Sequence, residues 1–377
     1  LSGCWDLREI NASAIPVNAG IELGKDNIIT FSTLFARTDS SSESGRMQIG
    51  NIVTMASDYS VSLAARRQML SLSKVPEWSH IHGIILGENA ARNGLPMITD
   101  FIMRNRNITP RTDLFIAAGS SPQDLLAHVY IADNDINKLV QVNELLMGGY
   151  VPITMGDFVY KLMTPGIEPA VPQLSLAEVP HMDEYGALEV KHPEKPDNSL
   201  KKIILNGTAV FKGDKMVGTL NKDESKGYRW LNPSVKTGGF LTIASPSYPG
   251  EYINLEIESF RCKTIPRISN NQINMHLDIE VHINFYETTR PEPVVVREIE
   301  RAANIEIARQ IRSCINKSQS LNSDISGWGR ILESKHPEQW HNLKSNWDNI
   351  YPFIKADIKV NTAINHSYLS KKAVKLR

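Results

Sequence analysis

The chain has 377 residues, of which 41% are hydrophobic and 22% charged, the balance of ordinary globular protein with enough length for two or three domains. Lys and Arg number 41 and so do Asp and Glu, so no overall field draws the chain toward nucleic acid. No apolar run approaches the roughly 20 residues that a membrane-spanning helix needs. The three cysteines, Cys4, Cys262 and Cys314, contain no CxxC pair, which removes the redox and zinc readings that depend on that spacing.

In chain order, Leu1-Ser2-Gly3-Cys4 resembles a bacterial lipobox, with small residues beside the point of signal-peptide cleavage and a thiol to receive a diacylglyceryl group. Two acyl chains hold a protein on a bilayer where one binds only marginally, so the expectation is a protein tethered at Cys4 to the outer face of a membrane. If Cys4 is used in this way, Cys262 and Cys314 stand either as a disulfide pair or as two buried thiols. The second reading is preferred, because a core of this size needs no staple.

Dense β-branched and aromatic residues predict strands over 27–35, 49–56, 78–86 and 112–118. Helical spacing of Val61, Ala64, Ala65 and Met69 predicts a helix over 59–72. Further helices are expected from Pro96, after Ser121, and over 138–147 and 155–163. Two stretches read as loops: the Ser-rich 38–45 and the Pro- and charge-rich 191–198, the latter taken as the main domain boundary.

Beyond residue 200, strands are expected over 203–211, 240–244 and 252–259, with a short polar helix carrying Asp223, Glu224 and Trp230. The clearest period follows. Ile273, Met275, Leu277, Ile279, Val281, Ile283 and Phe285 alternate with Asn274, His276, Asp278, Glu280, His282 and Asn284, the pattern of one long strand with a dry and a wet face. A helix over 295–315 has the apolar stripe Ile299, Ala303, Ile307 and Ile311. Another starts at Pro337 and shows Trp340, Leu343 and Trp347, and a last strand covers 354–360. The expected class is α+β (mixed α/β), multi-domain, with β-sheets each flanked by helices. The expected division is a lipobox remnant over 1–4, an N-terminal domain over 5–192, a middle domain over 199–262 and a C-terminal domain over 263–372.

Several blocks carry a more specific resemblance: Cys4-Trp5-Asp6-Leu7-Arg8-Glu9-Ile10, Leu205-Asn206-Gly207-Thr208-Ala209-Val210-Phe211-Lys212 with Asp214-Lys215-Met216-Val217-Gly218, residues 224–231 ending in Trp230-Leu231, Asp324-Ile325-Ser326-Gly327-Trp328-Gly329, and residues 337–347. On these the chain resembles the Ger(x)C family, the lipoprotein C subunits of spore germinant receptors, over nearly its whole length. Two departures are Trp328, where a smaller aromatic is expected, and Asn365-His366-Ser367, which lacks an expected glycine. The resemblance implies lipidation at Cys4 and a place on the spore inner membrane beside membrane subunits A and B. The implied role is scaffold or signal coupler in nutrient sensing, and it leaves open whether a nutrient touches this subunit.

Candidate chemistry is sparse. His80 and His82 have metal-pair spacing but lack a third ligand, and His276, Glu280 and His282 share a polar strand face that would carry such residues anyway. Trp328, Trp340 and Trp347 read as packing before they read as a binding surface. Gly148-Gly149 and Gly238-Gly239 read as turns. The sequence contains no GxSxG, P-loop or dinucleotide fingerprint. The expectation is therefore no catalytic residue, no cofactor, no metal and no nucleic-acid partner. The alternative reading is a solute-binding lipoprotein serving a transporter, which would need two similar lobes around a cleft.

Overall fold

The computed structural model describes residues 13–36, 52–105, 108–129, 136–178, 201–269, 272–288 and 296–366. Cys4 and the loops at 38–45 and 191–198 lie outside them.

The first sheet runs from the N-terminal half past residue 200. At its centre β1 (Ser13–Leu23) and β5 (Gly83–Gly87) lie parallel, followed in parallel by β6 (Asp113–Ala117) and β7 (Ala170–Glu178). On one side β2 (Ile29–Ala36) and β3 (Ile52–Asp58) continue antiparallel from β1. On the other, β8 (Lys201–Lys212) and β9 (Lys215–Leu220) continue antiparallel from β7. The short β4 (Val75–Pro76) pairs with the first residues of β1. Helices α1 (Val61–Gln68), α2 (Glu88–Asn93), α3 (Pro96–Arg104), α4 (Pro122–Val129), α5 (Ile136–Leu146) and α6 (Met155–Met163) accompany this sheet. One core holds Ile21, Phe31, Ile84, Leu114 and Phe211; a second holds Leu34, Ile85, Phe115, Leu125 and Leu205. Ile84 and Ile85 thus enter different cores, and every residue of β5 is buried, as a central parallel strand requires.

The second sheet has the order β10 (Phe240–Ala244), β11 (Tyr252–Ser269), β12 (Gln272–Thr288) and β13 (Lys355–His366). Pairing is antiparallel until β13, which lies parallel to β12 after a crossover through α8 (Val296–Ser320). Met275, Leu277, Ile279, Val281 and Ile283 are all buried in one core with Ile299, Ala303, Ile307 and Ile311 of α8. The long strand and its dry face are as the alternation predicts. Helix α7 (Lys222–Leu231) packs on α8 where Gly227 brings it against the backbone of Gln310. Helices α9 (Trp328–Lys335), α10 (Pro337–Leu343) and α11 (Trp347–Ile350) lead into β13.

The architecture is multi-domain and mixed, with two sheets flanked by helices. The strand pairing runs across the expected boundaries: the gap at 192–199 separates β7 from β8, which pair side by side, and the cut at 262–263 falls inside β11. A proline- and charge-rich segment marks a connection, and pairing between remote strands is not a local property of it. Residues 78–80 form a short 3-10 turn in place of the start of a strand, and β5 begins only at Gly83.

Candidate functional site

Beyond residue 200, the blocks that carry the family resemblance converge where the two sheets meet. The β8–β9 hairpin closes the edge of the first sheet, and its successive residues serve different cores. Ala209 and Phe211 enter the first core, while Val210 and Leu220 enter the core of the second sheet beside Tyr228 and Trp230. Gly207 has φ +94°, so a side chain would be strained there. Its N–H donates to the Tyr150 hydroxyl (3.2 Å), which donates to Leu205 O (3.2 Å). Helix α7 then starts on a capping box: Glu224 N donates to Asn221 Oδ1 (2.9 Å) and Asn221 N donates to Glu224 Oε2 (2.8 Å).

Two clasps join the halves. In the first, the glycine pairs meet. Gly148, Gly238 and Gly239 all have positive φ, and a Cβ on Gly239 would stand 2.5 Å from the Gly148 Cα. Gly239 N donates to Leu145 O (2.9 Å), tying the end of α5 to the strand region of the second sheet. The buried Arg229 guanidinium lies beside this contact. Its Nη2 donates to Thr237 O (2.5 Å) and Gly238 O (2.7 Å), and its Cζ lies 5.0 Å from the Phe260 ring centre. Burial pulls Arg229 down to about 10, partly offset by the nearby Glu144 carboxylate. Glu144 is in turn raised by its own desolvation.

The second clasp is centred on Asp324, which is buried. Its carboxylate accepts from Trp328 N (2.9 Å), Gly329 N (2.8 Å) and Trp347 Nε1 (3.1 Å). Its main-chain oxygen accepts from Glu168 N (2.9 Å), and Arg330 N donates to Gly166 O (3.0 Å). Gly329 packs directly on Gly166 and the Trp340 ring, with no room for a Cβ on either glycine. Burial pushes Asp324 up to about 7 against the pull of its three donors. Close by, Glu168 accepts from Gly213 N (2.8 Å) and pairs with Lys212 (3.2 Å), which also reaches Asp348 (2.5 Å). Desolvation raises the Glu168 carboxyl.

The residues singled out in sequence take other places. Trp328, Trp340 and Trp347 are buried; Trp340 and Trp347 meet edge to face at 5.1 Å, and Trp328 meets Tyr351 at 5.7 Å. They are packing. His80 and His82 are exposed on separate conformations, a 3-10 turn and the connection before β5. His276 pairs with Asp357, its register partner on β13 (2.7 Å), and His282 with Asn365 (3.4 Å), two residues beyond its own partner Ala363. Among the described residues no group of three His, Cys, Asp or Glu side chains is placed to hold a metal. Cys262 and Cys314 are both free; burial pushes the Cys262 thiol up to about 11 and raises Cys314 further, so neither is a ready nucleophile. Cys4 lies outside the described residues. Arg229, Glu168 and the meeting of the glycine pairs were not foreseen as a site; the two Gly-Gly dipeptides were the only sequence trace of the first clasp.

The arrangement holds two unlike sheets in a fixed relation and brings together no reactive constellation among the described residues. Comparisons with known proteins agree with its extent. Residues 6–176 match the family described as "Spore germination protein N-terminal domain", and residues 206–368 match "Spore germination B3/ GerAC like, C-terminal". The chain is 24% identical to spore germination protein KC of Bacillus subtilis (strain 168), covering 100% of this chain and 94% of that protein. It is 21% identical to spore germination protein B3 of the same organism, with 93% and 90% covered. The crystal structure of the GerBC protein shares the fold with a TM-score of 0.58 at 18% identity, over 92% of this chain and 96% of that one. The chain belongs to the Ger(x)C family, the C subunits of spore germinant receptors.

Proposed function

We propose that this protein is the lipid-anchored C subunit of a germinant receptor, held through Cys4 on the outer face of the spore inner membrane. It acts beside membrane subunits A and B, as a scaffold or signal coupler in nutrient sensing, with no catalytic step of its own. The observation that carries this reading is the likeness to spore germination protein KC along the whole chain, joined to a thiol at position 4 in a lipobox-like setting. The double clasp supports a coupling role, since a rigid joint transmits displacement between two domains where a loose linker would not. No helix of the described residues is long and apolar enough to cross a membrane, so attachment through an acyl group suits the chain. The solute-binding alternative fits less well. It calls for two similar lobes, whereas among the described residues one sheet is mixed and nine-stranded and the other has four strands.

The test is Cys4→Ala in a sporulating cell. The variant is expected to fold but to leave the membrane fraction after a high-salt wash, and to lose germination through one nutrient receptor while other receptors respond normally. Retention of the variant in the washed membrane would refute the anchor. Restoration of germination by a soluble chain together with a small-molecule product would refute the non-enzymatic role.

A further inference from the structure

The outward face of α1 is apolar and basic together. Tyr59, Leu63, Arg66, Arg67 and Leu70 follow one another at helical spacing and are all exposed. Leu70, in the 3-10 turn that ends the helix, is 89% exposed, and Met69 and Val75 beside it are exposed as well. Single exposed leucines are common and mean nothing. A run of five apolar side chains over residues 59–75, interleaved with arginines, is a surface of another kind. Behind it lies an open groove of about 870 Å³ between α1, β4 and α3, floored by Phe31, Trp78 and Phe101. Arg67 is paired with Asp58 (2.5 Å) and Arg104, on the groove's rim, with Asp100 (2.7 Å). Arg66 lines the groove with its side chain exposed.

What covers this face is indicated by where the chain enters the fold. The first described residues, Ser13 and Ala14, pair with Val75 and Pro76 at the patch itself, and Glu77 N donates to Ala14 O (3.0 Å). Eight residues separate Ser13 from Cys4. Nine peptide steps reach at most about 32 Å fully extended, so an acyl chain on Cys4 keeps the patch within that distance of the lipid. We infer that the face formed by Tyr59, Leu63, Met69, Leu70 and Val75 lies on the membrane surface, its apolar side chains entering the boundary between headgroups and acyl chains and Arg66 facing anionic headgroups. Mixed leucine, aromatic and arginine composition suits that boundary, and a short tether raises the local concentration of membrane so that a small patch suffices. The orientation follows: the N-terminal sheet stands nearest the bilayer with β3 and α1 down, and the joint to the second sheet is held away from it.

This inference rests on the anchor at Cys4, and the experiment separates the two. The lipidated chain, reconstituted on phosphatidylglycerol vesicles, is compared by hydrogen exchange with the Cys4→Ser chain free in solution. Peptides covering 59–75 are expected to slow at least about tenfold on the vesicle. In the Leu63→Asp/Leu70→Asp variant, which touches only exposed positions and is expected to melt like the parent, that protection disappears while the chain stays anchored. Equal exchange of 59–75 on and off the vesicle overturns the inference. So does protection that appears only when membrane subunits are added to the vesicles, which would make the face a protein-docking surface. An unmodified Cys4 thiol in the mass spectrum of chain purified from spores would refute the anchor alone. The same exchange comparison, with Cys4 coupled to a maleimide lipid, then still decides the fate of the patch.

Discussion

Asp324 shows how one side chain sets the condition of the joint. Its carboxyl is fully enclosed, yet it takes hydrogen bonds from Trp328 N, Gly329 N and Trp347 Nε1. Burial outweighs those donors and lifts its folded-state value to about 7, above the ordinary aspartate value of about 3.9. A group raised on folding stabilises the native state fully below its unfolded value and loses that contribution as pH rises through its folded value. Stability from this residue should therefore decline between about pH 4 and about pH 7. Glu168, also raised by desolvation, contributes in the same direction. Asp324→Asn removes the titration and turns an amide donor toward N–H groups that need an acceptor, a loss of about 1–3 kcal/mol. Melting temperature is the measurement. The gap between wild type and Asp324→Asn should narrow as pH rises from 5 to 8, and a constant or widening gap would show that the carboxyl is ionised throughout.

At the scale of elements, the long strand β12 was legible because burial imposes a period of two and nothing interrupts it. The sequence pattern ends its neighbour β11 near residue 259, although the strand continues to Ser269. The reason is a register shift between Ile257 and Ser259. Before it the buried residues are Ile253, Leu255 and Ile257; after it they are Phe260 and Pro266. One extra residue moves the dry side from odd to even positions and destroys the alternation in sequence. β1 and β7 were missed for compositional reasons. β1 breaks its apolar residues Ile15, Val17, Ile21 and Leu23 with Pro16 and the run Asn18-Ala19-Gly20, and β7 holds Pro172 at its own register shift, where strand propensity is weak. The clasps were illegible because they join residues far apart, such as Gly148 with Gly239. The face of β12 makes a direct test. Leu277→Asp or Ile279→Asp places an unpaired carboxylate in the core and should cost about 3–5 kcal/mol in chemical denaturation. His276→Ala breaks one surface pair with Asp357 and should cost less than about 1 kcal/mol. The reverse order would mean that the assigned faces are inverted.

On the scale of the whole molecule, the two sheets share one structural fate because they share core side chains and meet by close backbone approach. Val151, Ala170, Val210 and Leu220 of the first half belong to the core of the second sheet, so neither sheet closes its apolar surface alone. The tightest point of that contact is Gly148 against Gly239. A methyl group on Gly239 would stand 2.5 Å from the Gly148 Cα and 2.8 Å from its nitrogen, at a residue whose φ is +89°. Neither backbone can yield without opening the hydrogen bonds from Gly239 N to Leu145 O and from Ile257 N to Gly239 O, and the Arg229 guanidinium beside them would lose its two carbonyl acceptors. Gly239→Ala should therefore loosen the joint while leaving each sheet's interior intact. Strain at positive φ alone costs about 1 kcal/mol, and the steric displacement adds to it. In hydrogen exchange, amides over 145–149 and 237–257 should open faster, with those of β5 and β12 changed little. Calorimetry should show the single transition expected of the parent from its shared core broaden or divide into two. Gly250, which also has positive φ but no atom within 4 Å of an added Cβ, supplies the control: Gly250→Ala carries the backbone strain without the collision. If the two variants open the joint equally, close approach between the halves is not what holds them together, and the coupling role proposed for the subunit loses its physical basis.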